Sequence, residues 1–197
     1  MLRGAIAAGL LGFVVAGTGP GAFADSAKTV SGNDYLHRSA QAGTLRGNEV
    51  VFSGRRITVP VVAVAPGAPD ATFEVHGQVN PTLVIPAGAK VRFELANVDK
   101  GMPHGLDVTI EGPPYAANPD LPLHKTPGKR SANAPAAMGR HPVVSLGVAP
   151  KNGNGPLVVK QSAWFTLKPG QYYYVCPVPG HASAGMHGRI VVEKGQR

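Results

Sequence analysis

The segment with the most chemical information lies near the carboxyl end of the chain, where a thiol, an imidazole and a thioether follow one another closely. It reads Cys176-Pro-Val-Pro-Gly-His181-Ala-Ser-Ala-Gly-Met186. A tyrosine-rich strand is predicted before Cys176 and another strand after Met186, so all three donor groups fall on one loop between two strands. Cys176 is the only cysteine of the chain, which excludes a disulfide within it.

These donors are typical of a metal site in which the ligands differ in strength. Two imidazoles and a thiolate in a near-trigonal plane, with a distant axial methionine, hold copper in type 1 (blue) sites. His104 is the best candidate for the second imidazole, because it opens a predicted strand after a turn at residues 99–103. Zinc is disfavoured, since structural zinc sites use four Cys or His ligands. We therefore predict that one copper ion is held by His104, Cys176, His181 and Met186.

Each of these residues, taken alone, has an ordinary structural interpretation. A lone cysteine is more often a buried apolar side chain than a ligand, and a lone methionine usually packs in a core. Their combination at this spacing favours the metal site. Five further histidines are predicted not to bind metal, and these are His37, His76, His124, His141 and His187.

Short strands separated by turns are predicted for most of the chain. The sequence contains 26 Gly and 19 Pro residues, which favour turns over long helices. Predicted strands cover residues 50–52, 57–64, 72–75, 82–85, 91–95, 104–110, 157–167, 171–176 and 188–192. A short helix is predicted near residues 35–45, and residues 111–155 are predicted to form a long loop. This pattern indicates an all-β sandwich.

The first 24 residues differ from the rest and resemble a secretory signal. Arg3 precedes an apolar run over residues 5–16, and Ala22-Phe-Ala24 has the small-residue pattern of a cleavage site. The alternative is a membrane anchor, but the run is short for a bilayer crossing. We predict a signal peptide at 1–24, an N-terminal extension at 25–48 and one domain at 49–197. The mature protein is expected to be exported, with no stable membrane insertion.

The charge of the chain is positive, with a formal net charge of +8 at neutral pH. Its basic residues are scattered without a dense run, so nucleic acid is not a predicted partner. An acidic partner protein or an acidic medium fits the charge equally well.

Several segments resemble the rusticyanins, a family of cupredoxins. These segments are Phe73-Glu-Val-His-Gly-Gln-Val-Asn-Pro-Thr-Leu-Val-Ile-Pro-Ala-Gly-Ala89, Gly112-Pro-Pro-Tyr115, Tyr172-Tyr-Tyr-Val-Cys176, and Pro179-Gly-His-Ala182 with Gly185-Met186. The Cys-x4-His-x4-Met spacing is also similar to that family, whereas plastocyanins have a shorter gap between Cys and His. The resemblance extends from about Val50 to Glu193.

This resemblance implies a Greek-key β-sandwich and a periplasmic electron carrier with one copper ion. It further implies a place in the ferrous-iron oxidation chain of an acidophile and a c-type cytochrome as partner. A monomer is expected. The chain departs from the family at two positions beside the first histidine. Asp99 stands where an Asn is usual, and Gly105 stands where a Ser is familiar. Neighbours of ligands tune a metal site, so both are expected to affect the potential.

Enzymatic function is not predicted. The chain has no His-x-His pair for further copper ions, no second cysteine for a binuclear site and no Gly-x-Ser-x-Gly elbow. The predicted mature terminus is Asp25, not the histidine that a histidine-brace oxygenase needs. Four protein ligands would also leave no open position for a substrate. Two other functions stay open: a generic electron shuttle with a different donor, and copper storage or delivery.

The sequence also suggests how the site is tuned and where partners dock. Prolines 177 and 179 have no N–H group to donate to the thiolate, so few donors and a high potential are expected. A low-charge docking patch around His181 is predicted from Met102, Pro103, Pro177, Val178, Pro179, Ala182 and Ala184. Steering of an acidic partner is predicted for Lys125, Lys129, Arg130 and Arg140.

Overall fold

A computed structural model describes residues 22–116, 143–149 and 156–194, which form two packed β-sheets and one helix. The helix α1 is Gly32–Ala40. The strands before His104 are β1 (Ala22–Val30), β2 (Thr44–Arg46), β3 (Glu49–Val51), β4 (Arg56–Ala63), β5 (Phe73–Val75), β6 (Gln78–Val79), β7 (Thr82–Pro86) and β8 (Lys90–Asn97). The others are β9 (His104–Thr109), β10 (Val144–Ala149), β11 (Leu157–Ser162), β12 (Gly170–Val175) and β13 (His187–Glu193). The all-β sandwich that the strand pattern predicted is confirmed.

Strand β1 belongs to both sheets. The first sheet has the order β2-β3-β7-β13-β12-β9-β10-β1, and the second has the order β1-β11-β8-β4-β5-β6. Ala22 and Phe23 pair with β10, and the residues from Ala24 to Val30 pair with β11, with a bulge between Ala24 and Ser26. A bulge lets a strand bend and change sheets, so β1 closes one side of the sandwich.

The core lies between the two sheets and follows from the alternation of side chains along the strands. In β4, Ile57 and Val59 point inward, and in β8 Val91, Phe93 and Leu95 do the same. Burial of each such side chain contributes about 1.5–3 kcal/mol relative to exposure. The first sheet contributes buried residues to the same cluster, including Cys176 and Met186. Two of the four predicted metal ligands therefore belong to the main core.

Helix α1 covers part of the outer face of the second sheet. Ser31 caps it by accepting a hydrogen bond from the Asp34 N–H at 3.5 Å. Tyr35 is buried against the sheet, and its hydroxyl donates to the Val61 carbonyl at 3.3 Å. No helix in the described part of the chain has the length and apolar character needed to cross a membrane.

Three differences from the sequence prediction concern local structure that depends on distant contacts. The helix begins at Gly32 and ends at Ala40, earlier than the predicted 35–45. Strand β10 lies inside the stretch predicted as one long loop, since its pairing with β9 was not visible in its sequence. Most of that stretch, residues 117–142, lies outside the described residues, as do residues 1–21. The last three residues of the predicted signal, Ala22 to Ala24, begin β1.

Candidate metal centre

The loop between β12 and β13 carries three of the predicted ligands and is closed by backbone hydrogen bonds. The Cys176 N–H donates to the Met186 carbonyl at 3.0 Å, and the Met186 N–H donates to the His181 carbonyl at 2.9 Å. Because β12 and β13 pair antiparallel up to Val175 and His187, the two ends of the connecting loop lie side by side. This geometry gathers the donor groups at one end of the sandwich.

Asn80 supports the same loop from outside, and the sequence prediction missed it. Its side-chain amide donates to the Gly185 carbonyl at 2.9 Å, while its side-chain oxygen accepts from the Phe73 N–H at 2.9 Å. Its φ of 47° is left-handed, a conformation that Asn tolerates better than most residues. An Asn just before Pro81 was the available signal, but its partner lies 105 positions away.

His104 reaches the loop because β9 pairs antiparallel with β12. Asp107 lies opposite Val175 in this pairing, so the start of β9 meets the end of β12. The turn before β9 is held by Asn97, whose amide donates to the Met102 carbonyl at 2.9 Å and whose oxygen accepts from the Asp99 N–H at 3.0 Å. The structure thus brings the distant histidine to the Cys176 loop, as the sequence predicted.

The donor atoms of three residues converge. Nδ1 of His104 lies 3.2 Å from Nδ1 of His181, and Sγ of Cys176 lies 4.0 and 3.5 Å from these nitrogens respectively. These residues form a group of possible metal ligands within the described chain. Both rings direct the same nitrogen at the thiol, and one ion between the three atoms would accept a lone pair from each of them. Met186, fully buried, packs in the same apolar cluster as Cys176. Two imidazoles, one thiol and one thioether fit copper.

The histidines that were predicted not to bind metal lie in other environments. His37 contacts Gln41 at 3.2 Å on the exposed helix, and His76 contacts the Ala42 carbonyl at 2.8 Å. His187 packs edge-on against Tyr115. His124 and His141 lie outside the described residues.

Asp99 orients His104 from the side opposite the thiol. Its Oδ2 lies 2.9 Å from Nε2 of His104, and its Oδ1 accepts from the Gly101 N–H at 2.6 Å. Burial alone would raise the pKa of Asp99, but hydrogen bonds from the His104 ring and from backbone N–H groups lower it overall. The carboxylate therefore stays ionised and holds the proton of His104 on Nε2, which leaves Nδ1 free to bind a metal.

Burial controls the protonation of the two remaining donors. It raises the pKa of the Cys176 thiol to about 11, with a further rise from Asp107, although the N–H groups of Gly105 and Val178 oppose this. A bound metal ion is therefore needed to hold the thiolate at neutral pH. Burial also lowers the pKa of His181, as does the neighbouring His104, against the opposing charge of Asp99. The His181 ring accordingly stays neutral and available at neutral pH.

The expectation that few N–H groups reach the sulfur needs a correction. Pro177 and Pro179 donate nothing, but the Gly105 N–H lies 3.5 Å from Sγ of Cys176, and Val178 also donates to it. The prediction counted only the neighbours of Cys176 along the chain. Gly105 belongs to β9, the strand that pairs with β12, and the path of the loop brings Val178 back to the sulfur.

The replacement of the familiar Ser by Gly105 has a steric explanation. A Cβ atom at this position would lie 2.5 Å from Cγ of Pro177 and 2.9 Å from the Gly147 carbonyl oxygen. Such distances are far inside van der Waals contact, so the ring of Pro177 occupies the space that a side chain would need. The absence of a side chain at Gly105 thus makes room for the Pro177 ring beside the Cys176 sulfur.

The predicted docking patch is smaller than expected. Met102, Pro103, Pro179 and Ala184 are exposed, and Val178 and His181 are partly exposed. Pro177 and Ala182 are buried, which contradicts their assignment to the surface. Ala182 packs against Tyr115 and Val175. Lys125, Lys129, Arg130 and Arg140 lie outside the described residues.

The Gly105–Pro177 contact predicts a coupled effect of two substitutions. Gly105→Ser should destabilise the fold by about 2 kcal/mol, because overpacking a tight site costs about 1–3 kcal/mol. Pro177→Ala removes the nearest clashing atoms, so it should restore part of this loss in the double variant. Urea unfolding of the two single variants and the double variant measures the coupling. Purely additive losses would show that the two residues do not compete for space.

Comparison with known proteins identifies relatives of similar length and sequence. No family model matches the chain. It is 38% identical over 152 residues to a rusticyanin of Acidithiobacillus ferrooxidans, a match that covers 77% of this chain and 85% of that protein. A rusticyanin of Acidithiobacillus ferridurans is also 38% identical over 152 residues, covering 77% of this chain and 71% of that one.

Solved structures agree with the sequence comparison. A crystal structure of rusticyanin from Thiobacillus ferrooxidans is similar with a TM-score of 0.69 and 33% identity, covering 85% of this chain and 97% of that one. The NMR structure of reduced rusticyanin is similar with a TM-score of 0.67 and 34% identity, covering 85% of this chain and 96% of that one. By sequence, by its cupredoxin fold and by the donor groups that it gathers, the chain belongs to the rusticyanin family.

Proposed function

We propose that this protein is a type 1 blue-copper electron carrier. The convergence of two imidazole Nδ1 atoms and one thiol at 3.2–4.0 Å carries this proposal. One solved relative is described in its own name as a copper protein. The proposed copper ligands in this chain are His104, Cys176, His181 and Met186.

Copper in this site would supply a one-electron Cu(II)/Cu(I) couple. The protein residues supply a fixed and dry environment for it. His104, Cys176 and Met186 are almost fully buried, so water has little access to the donor atoms. Backbone hydrogen bonds on the loop and the Asp99–His104 contact hold these donors in place. A site that cannot rearrange suits fast electron exchange, and four protein ligands leave no open position for a substrate. These features support electron transfer rather than enzymatic catalysis.

His181 is the proposed route of the electron to the surface. It is partly exposed, whereas His104 is 1% exposed. Exposed Met102, Pro103, Pro179 and Ala184 lie near it in sequence or on the opposing turn, and none of them carries a charge. Transient redox complexes use small interfaces, so a small uncharged patch suits a redox partner. By family resemblance we propose a c-type cytochrome as this partner and a monomeric carrier.

The cellular setting is proposed from the sequence and the family. We propose export to the periplasm with cleavage after Ala24, and a role in ferrous-iron oxidation by an acidophile. Cleavage there would fall at the bulge between Ala24 and Ser26, which leaves the pairs from Ser26 to Val30 with β11 intact. The division into residues 1–24, 25–48 and 49–197 remains a proposal. Residues 25–48 nevertheless contribute most of β1, the whole of α1 and β2 to the structure.

The ligand assignment predicts distinct effects for the two sulfur ligands. Cys176→Ser should abolish the blue colour of the copper-loaded protein, because the thiolate-to-copper transition disappears. Met186→Leu should keep copper and colour but raise the potential, because a weak donor to Cu(II) is lost. Visible absorption and a redox titration measure both effects. A blue Cys176→Ser variant would show that the site is misassigned. A wild-type protein that binds copper without the intense band would favour copper storage or delivery.

The contact between Asp99 and His104 predicts a shift in potential. The carboxylate favours Cu(II) through the imidazole, so Asp99→Asn should raise the potential by about 60 mV, which is a tenfold change in a one-electron equilibrium. Glu193→Gln removes the same charge at the far end of β13 and serves as the control. Voltammetry of both variants measures the difference. If the two variants shift equally, the contact with His104 does not tune the metal.

The docking patch predicts that a charge beside His181 slows electron exchange. Ala184→Glu should slow self-exchange between oxidised and reduced copies by about tenfold, since a carboxylate at the centre of a contact must be desolvated. Ala184 is exposed, so a charge there leaves the core intact, whereas Ala182 is buried. NMR line broadening of mixed samples measures the rate, with Ser53→Glu as the control. An unchanged rate would place the docking surface away from His181.

A further inference from the structure

The outer face of the second sheet carries a cluster of cations at the end opposite the metal centre. In the register of β4 and β8, Arg56 lies opposite Lys90, and Thr58 lies opposite Arg92. The residues between them point into the core, so these side chains share the outer face. Arg56 and Lys90 are exposed, and Arg92 is partly exposed. We call Arg56, Lys90, Arg92 and Trp164 the basic face.

Trp164 organises two of these cations. The guanidinium carbon of Arg56 lies 4.4 Å from the centre of the indole ring, and that of Arg92 lies 4.5 Å from it. Cation–π contacts of this kind hold arginine side chains in place. Two guanidinium groups are therefore fixed beside one ring before any partner arrives, which lowers the entropic cost of binding.

The cations of the basic face have no acidic partner among the described residues. Arg92 even has a buried Nε atom without a hydrogen-bond acceptor. The next outward-facing acid along β8 is Glu94, which already binds Lys28 and Arg38 at 2.8 Å each and also accepts from Gln161. Glu94 is thus fully engaged, and no acid of the described ranges pairs with the cations of the basic face.

Helix α1 covers only the other half of this sheet face. Its Tyr35 packs on Val62, Ala96 and Val159, toward the metal end of the strands. The large exposed apolar side chains of the described structure, which are Leu45, Val79, Met102 and Ile110, do not belong to the basic face. The uncovered half is therefore polar and positive, which does not suit insertion into a bilayer.

We propose that the basic face is a second docking surface that binds an acidic region of a partner protein. Arg and Trp are the residues that most often anchor protein interfaces, and carboxylates match the fork of the guanidinium group. The surface lies far from the metal. Strand β8 runs from Lys90 to Asn97, which is roughly 23 Å at 3.3 Å per residue, and Asn97 bonds the turn beside His104.

This distance excludes the basic face as the electron exit. A partner bound to the basic face would leave the patch at His181 free. The carrier could thus be retained on an acidic protein by one end and exchange electrons through the other. The inference does not rest on copper binding, because the residues of the basic face touch none of the proposed ligands.

Trp164 is the only tryptophan of the chain, so its fluorescence reports directly on the basic face. The full chain is titrated with poly-L-glutamate as an acidic polypeptide, and separately with vesicles containing phosphatidylglycerol. We expect a saturable change in Trp164 emission with poly-L-glutamate that weakens as salt is added. Binding to the vesicles alone would overturn the proposal in favour of an anionic lipid surface, and no binding to either probe would overturn it outright.

A matched pair of variants separates this face from net charge. Arg56→Gln/Arg92→Gln removes two cations from the basic face, and Arg46→Gln/Arg189→Gln removes two exposed cations from the first sheet. Calorimetry should show about a tenfold loss of affinity for poly-L-glutamate in the first variant and little loss in the second. Equal losses would overturn the proposal. If Arg56→Gln/Arg92→Gln is unstable, the single variant Lys90→Gln on the basic face is compared with the single variant Arg46→Gln on the first sheet.

Discussion

The antiparallel pairing of β12 with both β9 and β13 is the constraint on which the metal centre depends. Pairing with β13 closes the loop from Cys176 to Met186, and pairing with β9 brings His104 to the same end of the sandwich. The Cys176 N–H then donates to the Met186 carbonyl, which fixes these two sulfur-bearing residues relative to each other. The donor geometry is therefore a product of sheet register, and the metal ion does not need to create it.

The burial of the donor residues determines the electrostatics of the site. The fold places a thiol where burial raises its pKa to about 11, so the metal-free protein holds a neutral thiol there at neutral pH. On the opposite side of His104, against the effect of burial, the hydrogen bond with the His104 ring, helped by backbone N–H groups, lowers the pKa of Asp99 and keeps its carboxylate ionised. The site therefore combines the buried sulfur of Cys176 with the negative charge of Asp99 beside the His104 imidazole. Such neighbours of a metal site tune the relative stability of the oxidation states of a bound copper ion.

The convergence of three donor residues could be predicted from the sequence, because Cys176 and His181 lie on one short loop and His104 opens a strand after a turn. Alternating residues likewise predicted most strands of the core. Long-range contacts could not be predicted in the same way. Asn80 bonds a carbonyl 105 positions away, β10 is a strand because it pairs with β9 and β1, and Ala182 packs against Tyr115. The small size of Ala182 suggested a surface position, since no local pattern revealed its distant neighbour.

The most direct test of this account is a pair of crystal structures of the chain, one without metal and one loaded with copper. If sheet register builds the site, the two Nδ1 atoms and the Sγ atom should differ by less than about 0.5 Å between the structures, which is the tolerance of a preorganised site. Copper should lie between these atoms in the loaded structure, with Met186 as the remaining proposed ligand. A loop that refolds on loading, or copper bound at other residues, would contradict the account.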